Sequence, residues 1–76
     1  MICLGLDIGS RNTKLVIFDQ SAQSIVFSAW QATDIDPLIS VSSLLDKALS
    51  ATDMRLDDFA GRAVTGYGRK LWKSAD

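Results

Sequence analysis

Two apolar runs separated by four residues constrain the fold of this chain more than any other feature. Residues 2–8 are almost wholly apolar, interrupted only by Gly5 and Asp7, and residues 13–19 follow suit with Leu15, Val16, Ile17 and Phe18. Runs of this length read as strands, and so short a link predicts that they pair as an antiparallel hairpin. The first run has the composition of a strand covered on both faces. Asp7 breaks the pattern: a polar group in a buried strand is costly unless something compensates for it.

The link itself supplies a candidate compensation. Gly9 lets the backbone approach a ligand closely, and successive amides in a tight turn form an anion-binding hollow. Ser10 and Thr13 add hydroxyls, and Lys14 adds a cation, with a second reading for Lys14 as a solvated strand residue. A carboxylate, a glycine turn, hydroxyls and a cation together point to metal-bound phosphate, hence to a nucleotide. Mg²⁺ suits such a set because it keeps its waters and needs only one or two carboxylates beside phosphate oxygens. Asp7 is therefore the candidate catalytic residue, holding Mg²⁺ through water. Gly9, Ser10, Arg11, Asn12, Thr13 and Lys14 are the candidate phosphate-binding residues. Acid and turn alone would also fit a plain β-turn with an exposed Asp; the Thr13-Lys14 strand opening favours the ligand. No Gly-x-x-x-x-Gly-Lys-Ser/Thr run exists, so this is not a Walker A loop.

Residues 24–30 alternate as a third strand, with Ile25, Phe27 and Ala29 on one side and Ser24, Val26, Ser28 and Trp30 on the other. Asp36 followed by Pro37 predicts a helix N-cap with proline at the first helical position, without a capping box. Leu38, Val41, Leu44, Leu45, Ala48 and Leu49 then recur at helical spacing for three to four turns. Residues 52–61 form a loop with room for one helical turn, where Asp53, Asp57 and Asp58 read as solvated. Residues 63–65 read as a fourth strand, parallel to one of the first three because a helix connects them. The glycine loop Thr65-Gly66-Tyr67-Gly68-Arg69 is a candidate cleft or partner loop, since Arg after such a loop can reach phosphate. It is not a dinucleotide fingerprint, because Leu71 occupies the third glycine position. Residues 69–75 are expected to begin a second helix. Trp30, Trp72 and Phe59 read as packing residues. The whole is the start of an α/β domain: a three-strand antiparallel meander, a helix and a parallel fourth strand. An unfinished sheet is expected to leave a strand edge, Leu71 and Trp72 uncovered.

At 76 residues the chain is one small domain at most, burying only about 60% of its unfolded surface. Hydrophobic content of 47% with 22% charged residues argues against disorder. A net charge of −1 gives no basic field for nucleic acid. Cys3 is the sole cysteine, read as a small apolar core residue, and the absence of His removes imidazole chemistry. With no basic leader and no apolar stretch of spanning length, a cytoplasmic chain with no membrane partner is expected.

The residues around Asp7 resemble the first phosphate loop of the superfamily containing actin, the Hsp70 chaperones and the sugar kinases. There it joins two antiparallel strands of a ribonuclease H-like domain. Val64-Thr65-Gly66-Tyr67-Gly68-Arg69 resembles a loop of the activator ATPases of 2-hydroxyacyl-CoA dehydratases and benzoyl-CoA reductases. Their opening is similar to the Leu4-Gly5-x-Asp7-Ile8-Gly9-Ser10-Arg11-x-x-Lys14 pattern, and Asn12 stands where Thr is more usual. The resemblance implies that residues 1–76 are the incomplete N-terminal portion of an actin-like ATPase lobe. It further implies ATP and Mg²⁺ as cofactors, a homodimer with a [4Fe-4S] cluster in full-length relatives, and a dehydratase or reductase partner that receives an electron. No cluster ligand lies in this chain, and the segment alone is expected to lack ATPase activity. A fragment of a sugar or small-molecule kinase and a non-catalytic interaction module are the alternatives.

Overall fold

The strand formed by Ile2–Ile8 (β1) turns Leu4, Leu6 and Ile8 to one face, and that alternation sets the core. Residues 1–76 are described by a computed structural model. The second strand, Asn12–Asp19 (β2), pairs antiparallel with β1 and adds Thr13, Leu15 and Ile17 to the same face. The third, Ser24–Ala32 (β3), pairs antiparallel with β2, and the fourth, Gly61–Thr65 (β4), pairs parallel with β1. The sheet order is β3-β2-β1-β4. The α/β class, the meander and the parallel fourth strand therefore follow the sequence reading.

A single long helix, Pro37–Thr52 (α1), covers the inner face with Val41, Leu44 and Ala48. It starts where the Asp36 carboxylate accepts the Leu38 amide at 3.1 Å, and Pro37 loses no hydrogen bond at the first position. It ends at Asp53, which takes a left-handed conformation (φ 55°) that Asp tolerates better than most side chains. Phe59, just after a short 3-10 turn at Leu56–Asp58, closes one flank of the core. Each such side chain, once buried, contributes about 1.5–3 kcal/mol. No helix is long and apolar enough to cross a membrane.

Several local expectations are corrected. The strand β1 is covered on one face only; the other face of the sheet is an open, mostly apolar hollow bordered by Val16, Ile25 and Trp30. Ile25 does not share a side with Phe27 and Ala29. Phe27 pairs with Ile17 and Ile25 with Phe18, so Val26 is an extra residue, a bulge that turns Ile25 to the outside at 61% exposure. Residues 69–75 do not open a helix: Arg69–Leu71 make one 3-10 turn and Trp72 continues in extended conformation. Trp72 is not uncovered either; its indole joins the core, and burying so large a ring outweighs propagating a helix from a three-residue nucleus. Leu71 does stay half exposed.

The outer edge of β4 is partly engaged. The Asp76 amide donates to the Arg62 carbonyl at 2.9 Å, and the Arg62 amide donates to the Asp76 carboxylate at 2.9 Å. Their side chains add a 3.6 Å ion pair. Cys3 is half-buried on the open face rather than in the core.

Candidate functional site

Register alone brings the acid and the cation together. Asp7 lies between Lys14 on β2 and Thr65 on β4, and Lys14 lies beside Trp30 on β3. This row of four crosses the sheet on its open face, near the carboxyl ends of the parallel strands, where ligands collect in α/β sheets. Asp7 is half-buried. No hydrogen bond or ion pair engages its carboxylate, Arg62 being the residue that forms the ion pairs.

The glycine loop lies directly against this acid. Gly66 adopts φ +95°, and a Cβ there would stand 2.6 Å from Asp7 Oδ1 and 2.6 Å from the Ile8 carbonyl oxygen. Only glycine fits such a position, on both backbone and space grounds. The Gly68 amide donates to the Ile8 carbonyl at 2.9 Å, and Arg69 Nη1 donates to the Gly66 carbonyl at 3.0 Å. The loop is thus closed on itself and tied to the end of β1, with Tyr67 projecting outward at 83% exposure. Spacing could not decide whether this loop shares a cleft with Asp7; the fold places them in contact.

The turn after β1 is tight. The Gly9 amide donates to the Asn12 carbonyl at 3.0 Å, and a Cβ on Gly9 would stand 2.7 Å from that same oxygen. Ser10, Arg11, Asn12 and Lys14 are exposed. The Gly9 amide is used within the turn, so the amides open to an anion are those of Ser10 and Arg11, neither of which donates within the chain. Thr13 is fully buried, its hydroxyl 2.9 Å from the hydroxyl of Thr33, so it holds the turn from inside.

Thr33 and Ser40 carry no signal in the sequence pattern, yet both support the turn. Thr33 donates its amide to the Arg11 carbonyl and its hydroxyl to the Gly9 carbonyl, each at 2.7 Å. Ser40, fully buried on α1, accepts the Asp34 amide at 2.7 Å. The Thr33 bonds join residues far apart in the chain, and the Ser40 bond reaches back across the helix start, which periodicity does not reveal.

Compared with solved structures, the chain aligns over its full length with the activator of the 2-hydroxyisocaproyl-CoA dehydratase from Clostridium difficile, solved with bound ADPNP. The TM-score is 0.89 and the identity 34%. The chain resembles the dehydratase activators. Component A of the (R)-2-hydroxyglutaryl-CoA dehydratase from Acidaminococcus fermentans gives a second match over the full length, at a TM-score of 0.76 and 31% identity. The activator-like segment spans 28% and 29% of the lengths of those two chains. A Sinorhizobium meliloti protein assigned as a 2-dehydro-3-deoxygalactonokinase aligns with 86% of this chain and 21% of its own, at 15% identity and a TM-score of 0.59, a likeness of fold alone. The shared architecture is the actin-like ATPase fold. No family model matches the sequence, and no curated protein matches it.

Proposed function

We propose that residues 1–76 are the N-terminal part of an actin-like ATPase lobe and supply the first phosphate-binding hairpin of an ATP-dependent dehydratase activator. One observation carries the reading: an unpaired Asp7 carboxylate lies against Gly66 where the turn and the glycine loop meet. The cradle is one that a single Cβ would fill, and it leaves a carboxylate bare beside a turn whose Ser10 amide is open. These features fit a hydrated divalent cation on a nucleotide. No group of three or more His, Cys, Asp or Glu side chains gathers to form a metal cage, as suits Mg²⁺, which prefers water and phosphate oxygens.

In this reading Asp7 orients the hydration shell of Mg²⁺, and Ser10 binds phosphate through its amide. Gly9 and Gly66 keep the approach clear. Thr13 shapes the turn from within, and Lys14 supplies positive charge from the neighbouring strand. Arg11 and Asn12 line the exposed tip. Mg²⁺, when bound, neutralises charge on the phosphate oxygens. Catalysis by such a site is positioning and charge stabilisation rather than covalent chemistry. Thr65 to Arg69 form the adjoining wall, with Tyr67 free to meet a partner.

Likeness to the activator of a dehydratase supports a dehydratase partner; a reductase partner and a homodimeric full-length protein are what the family resemblance of the sequence implies. The [4Fe-4S] cluster that the resemblance implies for full-length relatives does not fit this segment, where Cys3 is the one thiol and a cluster takes several. No step is assigned to it. The segment alone is inactive as an ATPase in this proposal, because the opposite wall of the nucleotide cleft lies in the second lobe of activators.

The test is a titration of the folded chain with ATP, with and without Mg²⁺, followed at the backbone amides. Mg²⁺-dependent shifts at Ser10 and Gly66, lost in Asp7→Asn, with no phosphate release, are the expected result. A folded chain whose amides ignore the nucleotide overturns the proposal and leaves the interaction-module reading. Steady phosphate release abolished by Asp7→Asn contradicts the inactivity of the segment.

A further inference from the structure

Thr33 makes three hydrogen bonds to the phosphate turn from a position 24 residues beyond Gly9. Its amide donates to the Arg11 carbonyl and its hydroxyl to the Gly9 carbonyl, both at 2.7 Å. A threonine hydroxyl has one proton to give. Since that proton goes to Gly9, the 2.9 Å contact with Thr13 is a bond donated by the buried Thr13 hydroxyl to Thr33. The peptide between Gly9 and Ser10 is planar and trans, so its carbonyl and its amide point in opposite directions. Holding the Gly9 carbonyl on Thr33 therefore turns the Ser10 N–H away from Thr33 and out of the turn. Thr33 is itself held from behind. Buried Ser40 accepts the Asp34 amide at 2.7 Å and donates to the Ala32 carbonyl at 3.3 Å, fixing the residues on either side of Thr33 to the first turn of α1.

We propose that Thr33 is the positioning residue of the phosphate turn: its hydroxyl presets the Ser10 amide toward an anionic ligand, and Ser40 anchors that setting to the helix. The ligand class is the phosphate group of a nucleotide, so the inference rests on the function proposed above. It predicts that orientation of the amide, rather than charge, limits affinity at the turn.

Thr33→Val keeps the size and the backbone amide but removes the hydroxyl, whereas Thr33→Ser keeps the hydroxyl. The first readout needs no ligand: amide hydrogen exchange at Gly9, compared with Leu15 and Ile17 in the strand. Thr33→Val speeds exchange in the turn while the strand amides stay protected, and Thr33→Ser restores the turn. The second readout is Mg²⁺-ATP titration followed at the Ser10 amide. Thr33→Val removes both bonds of the hydroxyl; the one to the Gly9 carbonyl, which orients the Ser10 amide, predicts about tenfold weaker binding, with Thr33→Ser close to the parent. If Thr33→Val does not fold, Thr33→Ala, which likewise lacks the hydroxyl, gives the comparison with Thr33→Ser. Equal turn exchange in all variants, or a Ser variant as impaired as the Val variant, overturns the role of the hydroxyl. Absence of nucleotide binding by the parent chain removes the functional reading instead, and the exchange result still decides whether Thr33 sets the turn.

Discussion

Gly66→Ala is the substitution that tests the contact between the glycine loop and the acid most directly. At φ +95° a residue bearing a Cβ is strained, at a cost of about 1–2 kcal/mol. The added methyl would also stand 2.6 Å from both Asp7 Oδ1 and the Ile8 carbonyl oxygen. Backbone at Ile8 cannot swing aside as a side-chain end would, so overpacking adds about 1–3 kcal/mol. The sum is about 2–5 kcal/mol. A chain of this size has roughly 4–11 kcal/mol of total stability, so the loss is a large fraction of the whole. Urea unfolding followed by far-ultraviolet circular dichroism reads it: with a slope near 1 kcal/mol per M, the midpoint falls by about 2 M or more. Gly9→Ala is the internal comparison. Its Cβ would stand 2.7 Å from the Asn12 carbonyl but needs no positive φ, so only the contact cost of about 1–3 kcal/mol applies. A Gly66→Ala midpoint within about 0.5 M of the parent would show that the loop does not press on Asp7.

Two further substitutions test the scaffold behind the site. Asp36→Ala removes the carboxylate that accepts the Leu38 amide and lowers stability by about 1 kcal/mol; Asp36→Ser keeps most of it in thermal melts. Leu44→Ala empties a site with 0% exposure at the centre of the helix–sheet contact and costs about 2–5 kcal/mol by urea unfolding.

Local chemistry made much of this fold legible. The four-residue link fixed the hairpin, Asp36-Pro37 marked the start of α1, and a helix between strands fixed the parallel direction of β4. Each of these rests on neighbours in the chain. The bulge at Val26 escaped because the apolar alternation through Ile25, Phe27 and Ala29 reads smoothly, and only pairing with β2 reveals the extra residue. The end of the chain escaped for a similar reason, since burial of Trp72 is a tertiary preference that overrides local helix signals. At the site, Asp7 and the two glycine elements stand out by composition. Their contact depends on strand order, and the Thr33 brace depends on a hydrogen bond between distant residues. The open sheet face was hidden because a two-face apolar strand pattern does not say which covering elements are present.

The row that crosses the sheet ends in Trp30, two strands over from Asp7, roughly 10 Å away at ordinary strand spacing. Trp30 is 66% exposed whereas Trp72 is 9% exposed. The chain therefore carries two native fluorophores in opposite environments. The hydrated one emits to the red and is open to acrylamide, and the sheltered one emits to the blue. Charge arriving beside the acid should perturb the former, and loosening of the hydrophobic interior the latter, so one emission spectrum separates occupancy from unfolding without a label.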